Sequence, residues 1–125
     1  MKIFLVEDDT VYADFISKSL QDKYEIESFT SAEDCLNAFN GNPPEVLLLD
    51  YKLPGMSGIE FFEKINPQID DDTKVIMLSS IDDGNLVLDF IKKGIRDYVV
   101  KDDQVIESLT AVIEGEDDYF FDDFD

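Results

Sequence analysis

Val46-Leu47-Leu48-Leu49-Asp50-Tyr51-Lys52-Leu53-Pro54-Gly55-Met56-Ser57-Gly58 is the stretch that decides how this 125-residue chain folds. Four consecutive apolar residues run into one carboxylate, and the chain turns at once. An unbroken apolar run of this length suits a strand buried on both faces, as in a parallel sheet. Pro54, Gly55 and Gly58 mark a loop before the next helical pattern. Asp50 therefore falls where a buried strand meets solvent, and open α/β sheets bind ligands at the carboxyl ends of their strands. Taken alone, an aspartate in this place reads equally well as a turn former or a helix cap.

Towards the N-terminus, residues 2–6 form a short apolar strand that ends in Glu7-Asp8-Asp9. From Val11 the apolar spacing becomes helical, with Val11, Phe15, Ile16 and Leu20 together and Asp14, Lys18 and Asp22 outward. Residues 24–29 read as a second strand with Ile26 in the core. Ser31 is the N-cap of a helix that carries Ala32, Cys35, Leu36 and Phe39 and ends near Gly41. Beyond the Asp50 strand, a helix from about Gly58 holds Ile59, Phe62 and Ile65 and stops at Asn66-Pro67. Residues 74–79 are a fourth strand. Leu86, Val87, Phe90 and Ile91 mark a helix closed by Gly94, and residues 98–101 are a fifth strand. The last helix carries Val105, Ile106, Leu109, Val112 and Ile113, and Gly115 releases an acidic, aromatic tail. Five strands alternating with five helices predict an α/β domain: a parallel sheet with helices on both faces, over residues 1–114, followed by a tail over 115–125.

Composition narrows the function. Ten basic residues against thirty acidic give a net charge of −20, which disfavours nucleic acid and anionic lipid and favours a cation or a basic partner. Seven of the carboxylates lie in residues 114–125, and the rest of the chain is acidic too. No apolar run approaches the roughly 18 residues of a membrane span. A single cysteine, Cys35, forms no internal disulfide, and a cytoplasmic location is the expectation. Tyr119, Phe120, Phe121 and Phe124 among the tail carboxylates suit either a flexible extension or a docking segment.

Several polar groups share the carboxyl edge of the sheet. Glu7, Asp8 and Asp9 follow the first strand, Asp50 ends the third, Ser79 ends the fourth and Lys101 ends the fifth. Crowded carboxylates repel unless a cation compensates. With no histidine and no second cysteine, all-oxygen coordination suits Mg²⁺. Each residue also has a plainer reading: Asp8 and Asp9 as helix caps, Ser79 as a cap, Lys101 as a snorkelling strand end. Together, a cation, a carboxylate nucleophile, a lysine and a hydroxyl suit phosphoryl transfer onto Asp50.

With those residues in view, the chain resembles a receiver domain of bacterial two-component response regulators, of the single-domain chemotaxis-regulator kind, over residues 1 to about 114. The resemblance rests on Glu7-Asp8, on Asp50 in Asp-x-x-Leu-Pro-Gly-Met-Ser-Gly, on Ser79, and on Gly94-Ile95-Arg96-Asp97-Tyr98-Val99-Val100-Lys101. It implies a flavodoxin-like sheet of order 2-1-3-4-5, an order for which the chemotaxis regulator is a standard example. It implies Asp50 as phosphoacceptor, Asp8 as a direct Mg²⁺ ligand, Glu7 acting through water, and the Lys52 carbonyl as a further ligand. Lys101 would contact the phosphoryl group, Ser79 would hydrogen-bond to it, and Tyr98 would turn inward as Ser79 moves. The donor would be a histidine kinase or histidine phosphotransfer protein. The output would be a protein contact through the fourth helix, fifth strand and fifth helix, with no nucleic acid bound directly and no membrane insertion.

Two positions depart from the family pattern. Asp102 stands where proline usually follows the lysine, so a trans bond, a rearranged loop and a less rigidly aimed Lys101 are expected. Ile95 stands where a smaller residue is common and would add packing bulk, and the resemblance implies that Lys52 and Ile81, two positions beyond Asp50 and Ser79, would tune phosphoryl lifetime. Two other functions compete. A Mg²⁺-dependent hydrolase with an aspartate nucleophile needs Asp-x-Asp-x-Thr after the first strand, whereas the chain reads Glu7-Asp8-Asp9-Thr10. An interaction module that keeps the fold without phosphorylation is opposed by the intact Asp8, Asp50, Ser79 and Lys101. Beyond phosphorylation of itself and its reversal, no enzyme activity is expected.

Overall fold

A computed structural model describes residues 1–39, 42–69, 72–80 and 87–115. The chain alternates β1 (Lys2–Val6), α1 (Thr10–Leu20), β2 (Glu25–Phe29), α2 (Ala32–Phe39), β3 (Val46–Asp50), α3 (Gly58–Ile65), β4 (Lys74–Ser79), α4 (Val87–Lys92), β5 (Asp97–Val100) and α5 (Val105–Ile113), with a 3₁₀ turn at Asn66–Gln68. All strand pairs are parallel and the order is β2-β1-β3-β4-β5, the flavodoxin-like arrangement expected. The apolar run of β3 is central and every residue of it is buried.

The two-residue period of the strands divides the core. Ile3, Leu5, Val46, Leu48, Ile76, Leu78 and Val99 point to the face covered by α1 and α5, where they meet Ile16, Leu20, Leu109 and Val112. Phe4, Val6, Leu47, Leu49, Val75 and Met77 point to the other face, against Cys35, Phe39, Phe61, Phe62, Ile65 and Phe90 of α2, α3 and α4. Edge-to-face rings link Phe4 to Phe39 and Phe39 to Phe61, with centroids 5.8 and 6.1 Å apart. Cys35 is fully buried, and burial pushes its thiol up to about 12, so it packs as a small apolar residue.

Three expected core positions are not in the core. Val11 is 79% exposed and Phe15 47%, because the buried stripe of α1 runs through Ala13, Ile16 and Leu20 at the i, i+3, i+7 spacing and leaves Val11 and Phe15 beside it. Ile91 is 60% exposed for the same reason: Phe90 carries the burial in α4. Ile26 is only partly buried, since β2 is an edge strand. Ser31 does cap α2, its hydroxyl accepting the Asp34 amide at 3.1 Å. The readings placed on Gly41, Ile81, Leu86, the Val87 side chain and the tail beyond Gly115 lie outside the described residues.

Candidate phosphoryl-transfer site

The parallel register brings the polar strand ends to one rim. Val6 pairs with Leu49, so Glu7 and Asp50 are the next residues on adjacent strands. Asp50 pairs with Leu78 and Ser79 with Val100, and the Lys101 amide donates to the Ser79 carbonyl at 2.9 Å. Glu7, Asp50, Ser79 and Lys101 therefore lie within one residue of a strand's carboxyl end, and Asp8 and Asp9 follow in the turn after β1.

The β1–α1 turn separates two neighbouring acids. Asp9 is the N-cap of α1, its Oδ1 accepting the amides of Val11 and Tyr12 at 3.0 and 3.1 Å. Capping therefore occupies Asp9 and leaves Asp8, which is exposed, free to face the rim. Glu7 is buried to 1% exposure and its Oε2 accepts the Asp9 amide at 3.2 Å. Past β3, the Ser57 hydroxyl accepts the Glu60 amide while the Glu60 side chain accepts the Ser57 amide. Gly58 is required at the start of α3: a Cβ there would lie 2.5 Å from the Asp50 carbonyl oxygen. The return from Asp50 into α3 is thus short and fixed.

Lys101 ties the rim together. Its Nζ lies 2.5 Å from Glu7 Oε1 and 3.1 Å from Asp50 Oδ1, with the side chain 21% exposed. It also sits 4.9 Å from the centroid of the Tyr12 ring. Burial pulls the Lys101 ammonium towards deprotonation, but the Glu7 hydrogen bond and the charges of Asp50 and Glu7 outweigh it, and its pKa is raised. Glu7 moves the other way from an ordinary paired carboxylate. Burial pushes it up to about 7, with the Asp50 charge adding, and the Lys101 hydrogen bond only partly opposes this.

One carboxylate oxygen from each of Glu7, Asp8 and Asp50 lies within 4.8 Å of the others. The donors are hard oxygens, two of the three residues are buried, and Lys101 pairs with Glu7 and Asp50. This set fits Mg²⁺ better than a metal that prefers nitrogen or sulfur. Lys52 follows in the exposed turn two residues on.

Ser79 is buried at the end of β4. Tyr98 is not part of the cluster: it pairs with Met77 in β5 and its side chain is 43% exposed. No peptide bond among the described residues is cis, so Lys101–Asp102 is trans, as expected. Asp102 replaces a proline's constraint with hydrogen bonds. Its amide donates to the Val100 carbonyl at 2.9 Å, and its Oδ1 accepts the Gln104 amide at 2.9 Å. The residue that sequence reasoning missed is Tyr12. The available signal was its place in the first turn of α1, four residues after Asp8, which returns it to the rim.

Comparison with known proteins agrees with this geometry. A family model described as response regulator receiver domain matches residues 3–114. The chemotaxis protein CheY of Listeria monocytogenes is 32% identical over 111 residues, covering 84% of this chain and 92% of that protein. The oxygen regulatory protein NreC of Staphylococcus epidermidis is 31% identical over 93% of this chain, which spans only 56% of NreC. Among solved structures, the BeF3-activated receiver domain of DrrB, a response regulator of Thermotoga maritima, superposes with a TM-score of 0.76 at 30% identity, covering 90% of this chain and 97% of that one.

Proposed function

The chain belongs to the response regulator receiver domain family, and from that membership we propose that it is a signalling switch whose phosphoacceptor is Asp50. The observation that carries the reading is the Lys101 ammonium held between Glu7 and Asp50 at the carboxyl edge of the sheet. Asp50 supplies a lone pair from a carboxylate oxygen to phosphorus, the bond from phosphorus to the donor's nitrogen or oxygen breaks, and an aspartyl phosphate results. Lys101 holds Asp50 and offers its charge to the incoming phosphoryl oxygens. Ser79, at the neighbouring strand end, donates its hydroxyl to the phosphoryl group once it is attached. Glu7, Asp8, Asp50 and the Lys52 carbonyl would hold Mg²⁺, which, when bound, offsets charge on the transferring group. Glu7 acts mainly through water, because its Oε1 is already committed to Lys101.

The donor in this reading is a histidine kinase or histidine phosphotransfer protein. The output is a protein contact on the face of α4, β5 and α5, where Leu88, Ile91 and Tyr98 are exposed. The outward position of Tyr98 corresponds to the unphosphorylated side of a two-state equilibrium, and phosphorylation draws Ser79 and then Tyr98 inward.

The test is incubation with Mg²⁺ and acetyl phosphate, read by intact mass. The wild type should gain one phosphoryl group, only with Mg²⁺ present, and Asp50→Ala should gain none. A wild type that stays unmodified leaves the family fold in use as an interaction module instead.

A further inference from the structure

Lys101 leaves β5 with little backbone support for its side chain. Its amide is fixed to the Ser79 carbonyl, but the next residue folds straight back, the Asp102 amide donating to Val100. The direction of the ammonium is therefore set by what surrounds it. Two of its contacts, Glu7 and Asp50, are carboxylates belonging to the reacting cluster, and a phosphoryl group or a cation competes for them. The third contact is of another kind. Nζ lies 4.9 Å from the centroid of the Tyr12 ring, within the range at which an aromatic face attracts a cation, and the side chain's 21% exposure lessens competition from water.

Tyr12 is itself held in place. Its amide is one of the two accepted by the Asp9 cap, its ring lies 5.9 Å from that of Phe15, and it packs against the core between α1 and α5. Its hydroxyl is buried without a hydrogen-bond partner among the described residues. The ring face, not the hydroxyl, is therefore what Tyr12 presents to the site.

We propose that Tyr12 is a positioning residue, whose ring face keeps the Lys101 ammonium over Asp50 while the carboxylates exchange partners. An aromatic face suits this task because it attracts a cation without demanding one donor direction, and it is not consumed when Asp50 is modified. The proposal rests on the reading of Asp50 as phosphoacceptor. It assigns to α1 a part in aiming a residue of β5, and Tyr12 itself touches no reacting atom.

The test compares Tyr12→Leu with Tyr12→Phe. With acetyl phosphate and saturating Mg²⁺, Tyr12→Leu should slow phosphorylation of Asp50 by about three- to tenfold, the range expected of a partly desolvated cation–ring contact. Tyr12→Phe, which keeps the ring, should stay within about twofold of wild type, and in a Lys101→Met background Tyr12→Leu should change the rate no further. Unchanged kinetics in Tyr12→Leu, equal defects in the Leu and Phe variants, or a full effect without Lys101 would each overturn the proposal. An independent readout is the proton shift of the Lys101 ε-methylene, moved by the ring current in wild type and Tyr12→Phe and relaxed in Tyr12→Leu. If the wild type accepts no phosphoryl group, the phosphoacceptor reading fails, and this shift still decides whether Tyr12 holds Lys101.

Discussion

Glu7 is the residue at which the cost of the site is most visible. A carboxylate almost wholly removed from water sits beside a second one, and a single ammonium serves both. Its pKa is raised from 4.5 to about 7, chiefly by burial. The sign of the consequence follows from proton linkage. The folded chain keeps a proton on Glu7 that the unfolded chain has already lost, so its stabilising contribution is full below pH 4.5 and is lost as pH rises through about 7. In Mg²⁺-free urea denaturation, wild-type stability should therefore decline across that window and Glu7→Gln should show a shallower decline. Equal slopes for the two proteins would mean that Glu7 ionises freely in the fold. Mg²⁺ should reverse the preference, because a cation favours the ionised cluster, and its apparent affinity should rise with pH over the same window.

At the scale of elements, the connection from β3 to α3 does more for the site than either element alone. The Ser57–Glu60 capping box fixes where α3 begins, and Gly58 lets the helix start directly above the Asp50 carbonyl. Ser57→Ala should cost about 1 kcal/mol of stability in urea denaturation, the usual worth of a side-chain cap. Gly58→Ala should cost more, because its Cβ meets backbone at 2.5 Å and the turn must shift. A smaller loss for Gly58→Ala than for Ser57→Ala would contradict this account of the turn. The strands were legible because their cues are strong and local: an unbroken apolar run for β3, and matching bounds for β4 at Lys74–Ser79. Helix faces were less so. In α1 the residues Val11, Phe15, Ile16 and Leu20 satisfy one helical spacing and Ala13, Ile16 and Leu20 another, and hydrophobicity favoured the first although packing selected the second. Phe61, fully buried in α3, escaped notice beside Phe62 because adjacent aromatic residues cannot be ordered by periodicity alone.

For the whole molecule, topology converts scattered residues into a site. Glu7, Asp50, Ser79 and Lys101 are separated by up to 94 positions, yet a parallel sheet of order β2-β1-β3-β4-β5 must place all four strand ends on one rim. That is why the rim could be read from the sequence, whereas the Lys101–Tyr12 contact, which depends on one side chain's path across the sheet, could not. The net charge of −20 extends the same electrostatics to the surface, favouring cations and basic partner surfaces over nucleic acid. No helix among the described residues is long and apolar enough to cross a membrane. All of these features bear on one claim, that Asp50 is the acid that takes the phosphoryl group. The direct measurement is to phosphorylate the wild type with acetyl phosphate and Mg²⁺, reduce the acyl phosphate with borohydride, and sequence the peptides by tandem mass spectrometry. Position 50 alone should be converted to homoserine. Reduction at Asp8, Asp9 or any other acid, with position 50 untouched, would contradict it.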